Sequence, residues 1–338
     1  GMTRYGYNGG GQPVVIQDAA GNRIFARYDD LGRKLWVKDP NQGKTDFAYN
    51  SFGELEKQTD ADGQIIRHDV DSLGRVTDRY SPDGHARFDW DSDKAGLLTS
   101  HSQNGIGKSF GYDSLGRVTN TTTVIDGSRY TVSTQYDGHF GRPLKLTYPN
   151  NLSIAYEYND RGYLTQEKNA ASGYVYRQIT AQDVLGNLTG ASLGNGVLTI
   201  ANNYDPIGGQ MLLAQTSGQV LGGSGLIQSL RYSQYDSYGN IKQQSRNDQG
   251  INGSESFGYD TLHRLTSSTR TAGSLSNTIQ YGYDAVGNFT HKSDYSVNSS
   301  TAYQYQLGNN RISSIRLKDG SNEQFGYDNR GNLSHRNG

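Results

Sequence analysis

Three kinds of residue in this chain could do chemistry: its histidines, its runs of acidic residues and its glycine-rich segments. No cysteine is present, which excludes a thiolate nucleophile, a disulfide framework and any Cys-based zinc or iron–sulfur site. The histidines, at 68, 85, 101, 139, 263, 291 and 335, include no pair at i, i+2 or i, i+4 suited to a metal. Gly105-Ile106-Gly107-Lys108-Ser109 ends like a phosphate-binding loop. The Gly required upstream of the Gly-Lys is replaced by Ser102, and the segment leads into a strand rather than a helix. Asp89, Asp91 and Asp93 alternate as in a calcium loop, but the positions that need Gly and Glu hold Lys94 and Ser100. Gly222-Gly223-Ser224-Gly225-Leu226 lacks the closing Gly of a serine-hydrolase elbow. No catalytic residue, metal site or cofactor is expected, and the chain does not read as an enzyme.

One pattern does recur: Tyr or a substitute, Asp or Asn, two residues, Gly, a polar residue and an aliphatic one. Clear copies are Tyr28-Asp29-Asp30-Leu31-Gly32-Arg33, Tyr112-Asp113-Ser114-Leu115-Gly116-Arg117, Tyr235-Asp236-Ser237-Tyr238-Gly239-Asn240, Tyr283-Asp284-Ala285-Val286-Gly287-Asn288 and Tyr327-Asp328-Asn329-Arg330-Gly331-Asn332. Weaker copies are anchored at Tyr7, Tyr49, Val70, Trp90, Tyr136, Tyr158, Gln182, Tyr204, Tyr259 and Tyr305, giving fifteen units about 20–24 residues apart. The step from Tyr204 to Tyr235 is longer, and the stretch from Gln219 to Gly225 reads as a loop insertion. Because the Asp recurs, it belongs to a turn rather than to an acid/base pair. The Arg after the Gly, at 33, 75, 117 and 142, is expected to pair with a carboxylate of a neighbouring unit.

The elements that position these residues follow from the turns. Between anchors lie second turn signals such as Asp60-Ala61-Asp62-Gly63, Asp126-Gly127 and Asn195-Gly196, where Gly takes positive φ freely and Asp or Asn tolerates it. Two turns per unit leave two short strands, so each unit is a β-hairpin. Nine units place an aromatic residue two before the anchor: Tyr5, Phe47, Phe88, Phe110, Tyr156, Phe257, Tyr281, Tyr303 and Phe325. Sharing a face, these rings are expected to stack into ladders from hairpin to hairpin. Phe257, Tyr281, Tyr303 and Phe325 form the stretch best suited to stacking on sugar rings.

The predicted fold is all-β, a tandem β-hairpin array over residues 1–338 read as one continuous domain, with Gly1 ahead of Met2 as a tag remnant. Leu, Ile, Val and Phe make up 65 of the 338 residues, about 19%, a proportion near that of disordered chains. The net charge of −1 and the 25 Tyr favour a folded chain with an unusual core. The charge balance argues against nucleic acid or an anionic membrane surface as partner, and neither a membrane span nor a leader is visible. About thirty strands at ~4.8 Å spacing would make a flat sheet about 140 Å wide, whereas open twisted sheets curl well before that. The sheet is therefore expected to spiral around a cavity. The alternative is a flattened solenoid or stacked blades as in a propeller, but four-stranded blades would require a pairwise grouping of units that is not evident.

The Tyr-Asp-x-x-Gly-Arg-Leu/Val unit resembles the YD repeat of the Rhs family: bacterial Rhs and wall-associated proteins, the C components of insecticidal toxin complexes, and animal teneurins. The resemblance runs from Tyr7 to Leu333. It implies a β-sheet spiral forming a partial hollow shell which, in the bacterial toxins, encloses a C-terminal toxic domain. The closing Asp-Pro-x-Gly core of full-length toxins is not found, and Asp39-Pro40 and Asp205-Pro206 are the only Asp-Pro pairs, so the chain reads as part of a longer protein. The resemblance implies a secreted or cell-surface bacterial scaffold whose partner is its own C-terminal cargo domain. The alternative reading is an adhesion module that binds cell-surface carbohydrate or protein. Unpaired edges at the terminal hairpins predict edge-to-edge self-association.

Overall fold

A hairpin whose turn is closed by its own side chains needs no helix to support it. In a computed structural model, which describes residues 1–220 and 223–337, thirty β-strands run from Arg4–Tyr7 to Leu333–Asn337, and there is no helix among the described residues. The chain divides into two compact units. One comprises Gly1–Gly107 together with the segment from Ile279 onward; the other is Lys108–Thr278.

In the first unit, strands from Arg4–Tyr7 to Leu98–Gln103 pair antiparallel in chain order, as do those from Tyr303–Tyr305 to Leu333–Asn337. In the second, the same order runs from Val118–Ile125 to Leu265–Ala272. The tight turns anticipated from Asp-Gly and Asn-Gly are present, with Asp126 at φ 48° and Asn195 at φ 57°, each followed by a Gly of positive φ.

A feature absent from the sequence reading recurs at the anchors. Immediately before Tyr28, Tyr49, Val70, Tyr136, Tyr158, Tyr259 and Tyr327 the register shifts by one residue. Asp69 pairs with Asp78 and Val70 with Val76, so Thr77 has no partner across the ladder. Its hydroxyl donates to the Asp69 carbonyl at 3.3 Å, and Thr165 donates likewise to the Glu157 carbonyl at 3.1 Å. Each such bulge bends its strand and increases the local twist. Curvature is thereby built into the repeat itself.

Among the described residues, the extra length of the 31-residue step is strand rather than loop. Met211–Val220 and Gly223–Tyr235 are long strands of one hairpin, with Gln219 opposite Ser224 and Gly218 opposite Gly225. Leu221 and Gly222 lie outside the described residues. The extra residues lengthen both strands, with ladder partners for Ser217, Gly218, Gln219 and Val220.

Apolar burial is sparse. The buried hydrophobic residues among those described are Ala86, Ala191, Ala302, Tyr303 and Ile315. The accessible surface is 20693 Å², against about 13,600 Å² for a compact monomer of this mass. A one-layer sheet with water on both faces accounts for the difference and for the small aliphatic fraction. A cluster of buried side chains, Ala302, Tyr303 and Ile315, lies in the C-terminal hairpins with Val297, Tyr305, Ile312, Leu317 and Phe325 packed against it.

Candidate functional site: the anchor turns and their seam

An anchor turn is organised by one side chain, an Asp carboxylate or, at Asn50 and Asn159, an amide. Asp113 Oδ1 accepts the backbone N–H groups of Leu115 at 2.9 Å and Arg117 at 3.0 Å, while Oδ2 accepts Arg117 Nε at 2.6 Å. The same three bonds hold Asp29 to Leu31 and Arg33, Asp71 to Leu73 and Arg75, and Asp260 to Leu262 and Arg264. Where Asn replaces Arg, its amide takes the guanidinium's place, as at Asp236–Asn240 and Asp284–Asn288. The backbone closes around the side chain, with Asp113 N–H donating to the Arg117 carbonyl and Gly116 N–H to the Asp113 carbonyl. The bonds from Arg142 and from the Phe140 and Gly141 backbone hold the Asp137 carboxyl at about 2, against opposing desolvation. Asp91, bonded by Arg75 and the Gly96 N–H, also titrates at about 2.

The expected partner of the anchor arginines is corrected here. Arg33, Arg117 and Arg142 pair with the anchor Asp of their own unit. Only Arg75, of these four, also bridges to the next unit's carboxylate, at Asp91. What the arginines give the following unit is a cation over its anchor ring: Arg33 over Tyr49 at 5.0 Å, Arg75 over Trp90 at 5.0 Å, Arg117 over Tyr136 at 4.6 Å and Arg142 over Tyr158 at 4.4 Å. The ring's polar end points back. Tyr49 OH donates to the Lys34 carbonyl at 3.0 Å, Tyr136 OH to Val118 at 2.8 Å and Tyr158 OH to Pro143 at 2.8 Å. Own-unit pairing wins because the Asp is four or five residues away on the same turn, within reach whatever the neighbour does.

This relay gives the anchor Gly a second role. Gly141 and Gly162 have positive φ, and a Cβ on either would approach Nη1 of the preceding unit's arginine, Arg117 at 2.9 Å and Arg142 at 3.2 Å. The missing side chain is the space the guanidinium fills. His263 departs from the pattern: it holds the turn at φ 60°, with its ring 4.2 Å from that of Tyr238.

Within the first unit, the last anchor turns meet the first linking turns. Arg330 Nε donates to Asp62 Oδ2 at 2.8 Å and its Nη1 to Gln64 Oε1 at 2.9 Å. Arg311 donates to the Asn41 carbonyl through Nε at 2.9 Å and also through Nη2. The Asn310 N–H donates to Asn41 Oδ1 at 2.7 Å, and Asn22 Nδ2 donates to Asn310 Oδ1 at 3.1 Å. The seam joins residues about 270 apart and has no local sequence signal. Arg330 stands inside its turn rather than after the Gly, so the repeat pattern did not single it out.

The aromatic ladder takes a different form from the one expected. Rings on successive hairpins are two strands apart, about 10 Å, beyond the 4.5–7 Å contact range. Tyr281 and Tyr303 therefore each contact Phe289, at 6.3 and 6.1 Å, rather than one another. Tyr303 is buried in the C-terminal cluster with Phe325 against it, while Phe257 and Tyr281 are half-buried. The calcium-like run is committed to protein contacts: Asp89 accepts from Ser100 and Asp91 from Arg75.

The family model for the teneurin YD-shell matches residues 1–335. The chain belongs to that family. Among solved structures, this YD-shell chain is similar to TcdB2-TccC3-Cdc42, with a TM-score of 0.77 at 17% identity, over 98% of this chain and 20% of that one. TcdB2-TccC3 without its hypervariable C-terminal region matches at a TM-score of 0.76 and 16% identity, again over 98% of this chain and 20% of that one. The Tc holotoxin pore of Photorhabdus luminescens matches at 0.73 and 17%, over 98% and 18%. The likeness establishes the fold, and the chain spans about a fifth of the first two structures. No curated protein matches it.

Proposed function

We infer that this chain is a non-catalytic segment of an Rhs-type β-shell that encloses a C-terminal toxin or effector domain within a larger polymorphic toxin. The observation that carries the reading is the fate of the repeat's chemical groups. The anchor carboxylates, guanidiniums and Tyr hydroxyls are engaged within a turn or with a neighbouring unit, as in Asp113, Arg117 and Tyr136. A structure that spends its reactive groups on joining identical thin units is a wall. Two similar structures support the reading, one a complex without its hypervariable C-terminal region and the other a complex that includes Cdc42. Such a shell acts outside the cell that makes it, and its cargo is part of the same polypeptide.

The test is limited proteolysis of the natural protein that contains these repeats. A segment following the repeats should resist protease while the wall is intact and become cleavable in the Gly331→Ala variant, which disrupts the seam. Equal digestion in both proteins, at the rate of an isolated downstream domain, would refute enclosure.

A further inference from the structure

On one face of the second unit there is a recess of about 290 Å³ that no turn uses. It lies across the strands Ile241–Asp248, Ile251–Tyr259 and Leu265–Ala272. Cross-strand register builds it in two rows: Leu230 opposite Arg246 opposite Gly253, and Gln244 opposite Glu255 opposite Arg270. Side chains alternate along a strand, so Gly253 and Glu255 share the face of the anchor ring Tyr259, and the two rows share it with them.

Gly253 forms the floor. It is not among the glycines of positive φ, so the turn-forming reason for glycine does not apply. A Cβ there would come within 3.3 Å of the Thr271 carbonyl oxygen. The bare backbone leaves a gap between two guanidinium-bearing strands about 10 Å apart, one on either side of the Gly253 strand. Arg246 is ion-paired with Asp248. Glu255 is engaged by Gln244 Nε2 at 3.0 Å and Ser268 Oγ at 2.6 Å, and Asp248 also accepts from Gln228 at 3.1 Å. Both local carboxylates are thus occupied. Arg270 is exposed, and its guanidinium donates to no protein acceptor among the described residues. It offers a planar fork of donors that suits a carboxylate. Leu230 and Ile251 line the same recess.

We propose that this recess is a carboxylate-binding site, in which Arg270 and Arg246 receive the acid group above Gly253 while Leu230 and Ile251 contact the carbon skeleton behind it. The acid could be carried by an acidic sugar or by an acidic side chain of a polypeptide, and the chemistry at the site is the same. The proposal goes beyond the scaffold reading and does not depend on it.

The test is saturation-transfer NMR on the whole chain with three probes: glucuronate, N-acetylglutamate and neutral glucose. The acids should bind at millimolar concentration, more weakly as salt rises, and glucose should not. Arg270→Ala should weaken the acids by at least about tenfold, the scale of a charge-assisted bond, with Arg270→Lys recovering part of the loss. Gly253→Val should block them by filling the floor. A preference for glucuronate assigns the site to sugars, a preference for N-acetylglutamate assigns it to polypeptide, and equal binding supports recognition of the carboxylate alone. Acids that bind no better than glucose, or binding unchanged in a folded Arg270→Ala protein, would overturn the proposal.

Discussion

Arg330 Nε lies 2.8 Å from Asp62 Oδ2, across 268 residues of chain. Both side chains are partly shielded, at 34% and 22% exposure, and the bond joins a late anchor turn to an early linking turn. The same guanidinium reaches Gln64 and Asp60, and Arg311 repeats the arrangement one unit earlier at Asn41. The seam is thus a row of small polar contacts between turns, in which the guanidiniums of Arg311 and Arg330 come from the late turns and amides complete the row. Strand edges take no part in these contacts.

A double-mutant cycle with Arg330→Ala and Asp62→Ala should give a small favourable coupling by urea unfolding, because exposed ion pairs are discounted by solvent. It should shrink in high salt. A coupling of zero at low salt would mean that the pair is a passenger of the seam.

Gly331 and Gly239 separate two roles of the anchor glycine. Both have positive φ, 84° and 86°. A Cβ on Gly331 would run into the Asn41 carbonyl oxygen, whereas one on Gly239 meets nothing within 4 Å. Gly239→Ala should cost only the left-handed penalty of about 1–2 kcal/mol. Gly331→Ala should cost distinctly more and accelerate hydrogen exchange around Asn41. Equal melting temperatures for the two variants would remove the close approach as a cause.

The ring-over-guanidinium relay can be tested at Arg142. Its fork bonds Asp137 at 2.6 Å and its plane covers Tyr158 at 4.4 Å. Lysine keeps the charge but not the plane, so Arg142→Lys should lose about 1–2 kcal/mol. Exchange should rise in both turns, at 137–142 and at 159–163. A change confined to the first turn would show that the contact with Tyr158 is incidental.

Acid should loosen the array in a defined window. The Asp91 and Asp137 carboxyls titrate at about 2 when folded, below the ordinary value of about 3.9. Their contribution is therefore fully present above about pH 4 and is lost as pH falls from there towards 2. Asp137→Asn should flatten part of that slope while keeping the fold, since Asn50 and Asn159 hold equivalent turns. Stability independent of pH from 5 to 2 would contradict this origin.

The hairpins were legible in the sequence because their cause is local. An Asp bonded to backbone groups two and four residues ahead, as Asp29 is to Leu31 and Arg33, closes its turn wherever it stands. The partner of the following Arg was misread because sequence shows both carboxylates but not their distances, and the near one wins. The ladder was misread because identical positions repeat every second strand, too far apart for rings to touch without Phe289 between Tyr281 and Tyr303. The insertion after Gly218 was misread because glycine, although a weak strand former, still pairs when a strand lies opposite.

By itself, the sequence determined the repeat, its turn chemistry and an all-β array with little apolar core, since each depends on residues within one hairpin. Tertiary structure alone decided where Arg330 and Arg311 find their acceptors. Those contacts depend on how many bulged hairpins intervene and how far each bends. That is a sum over the whole chain, and no single unit records it.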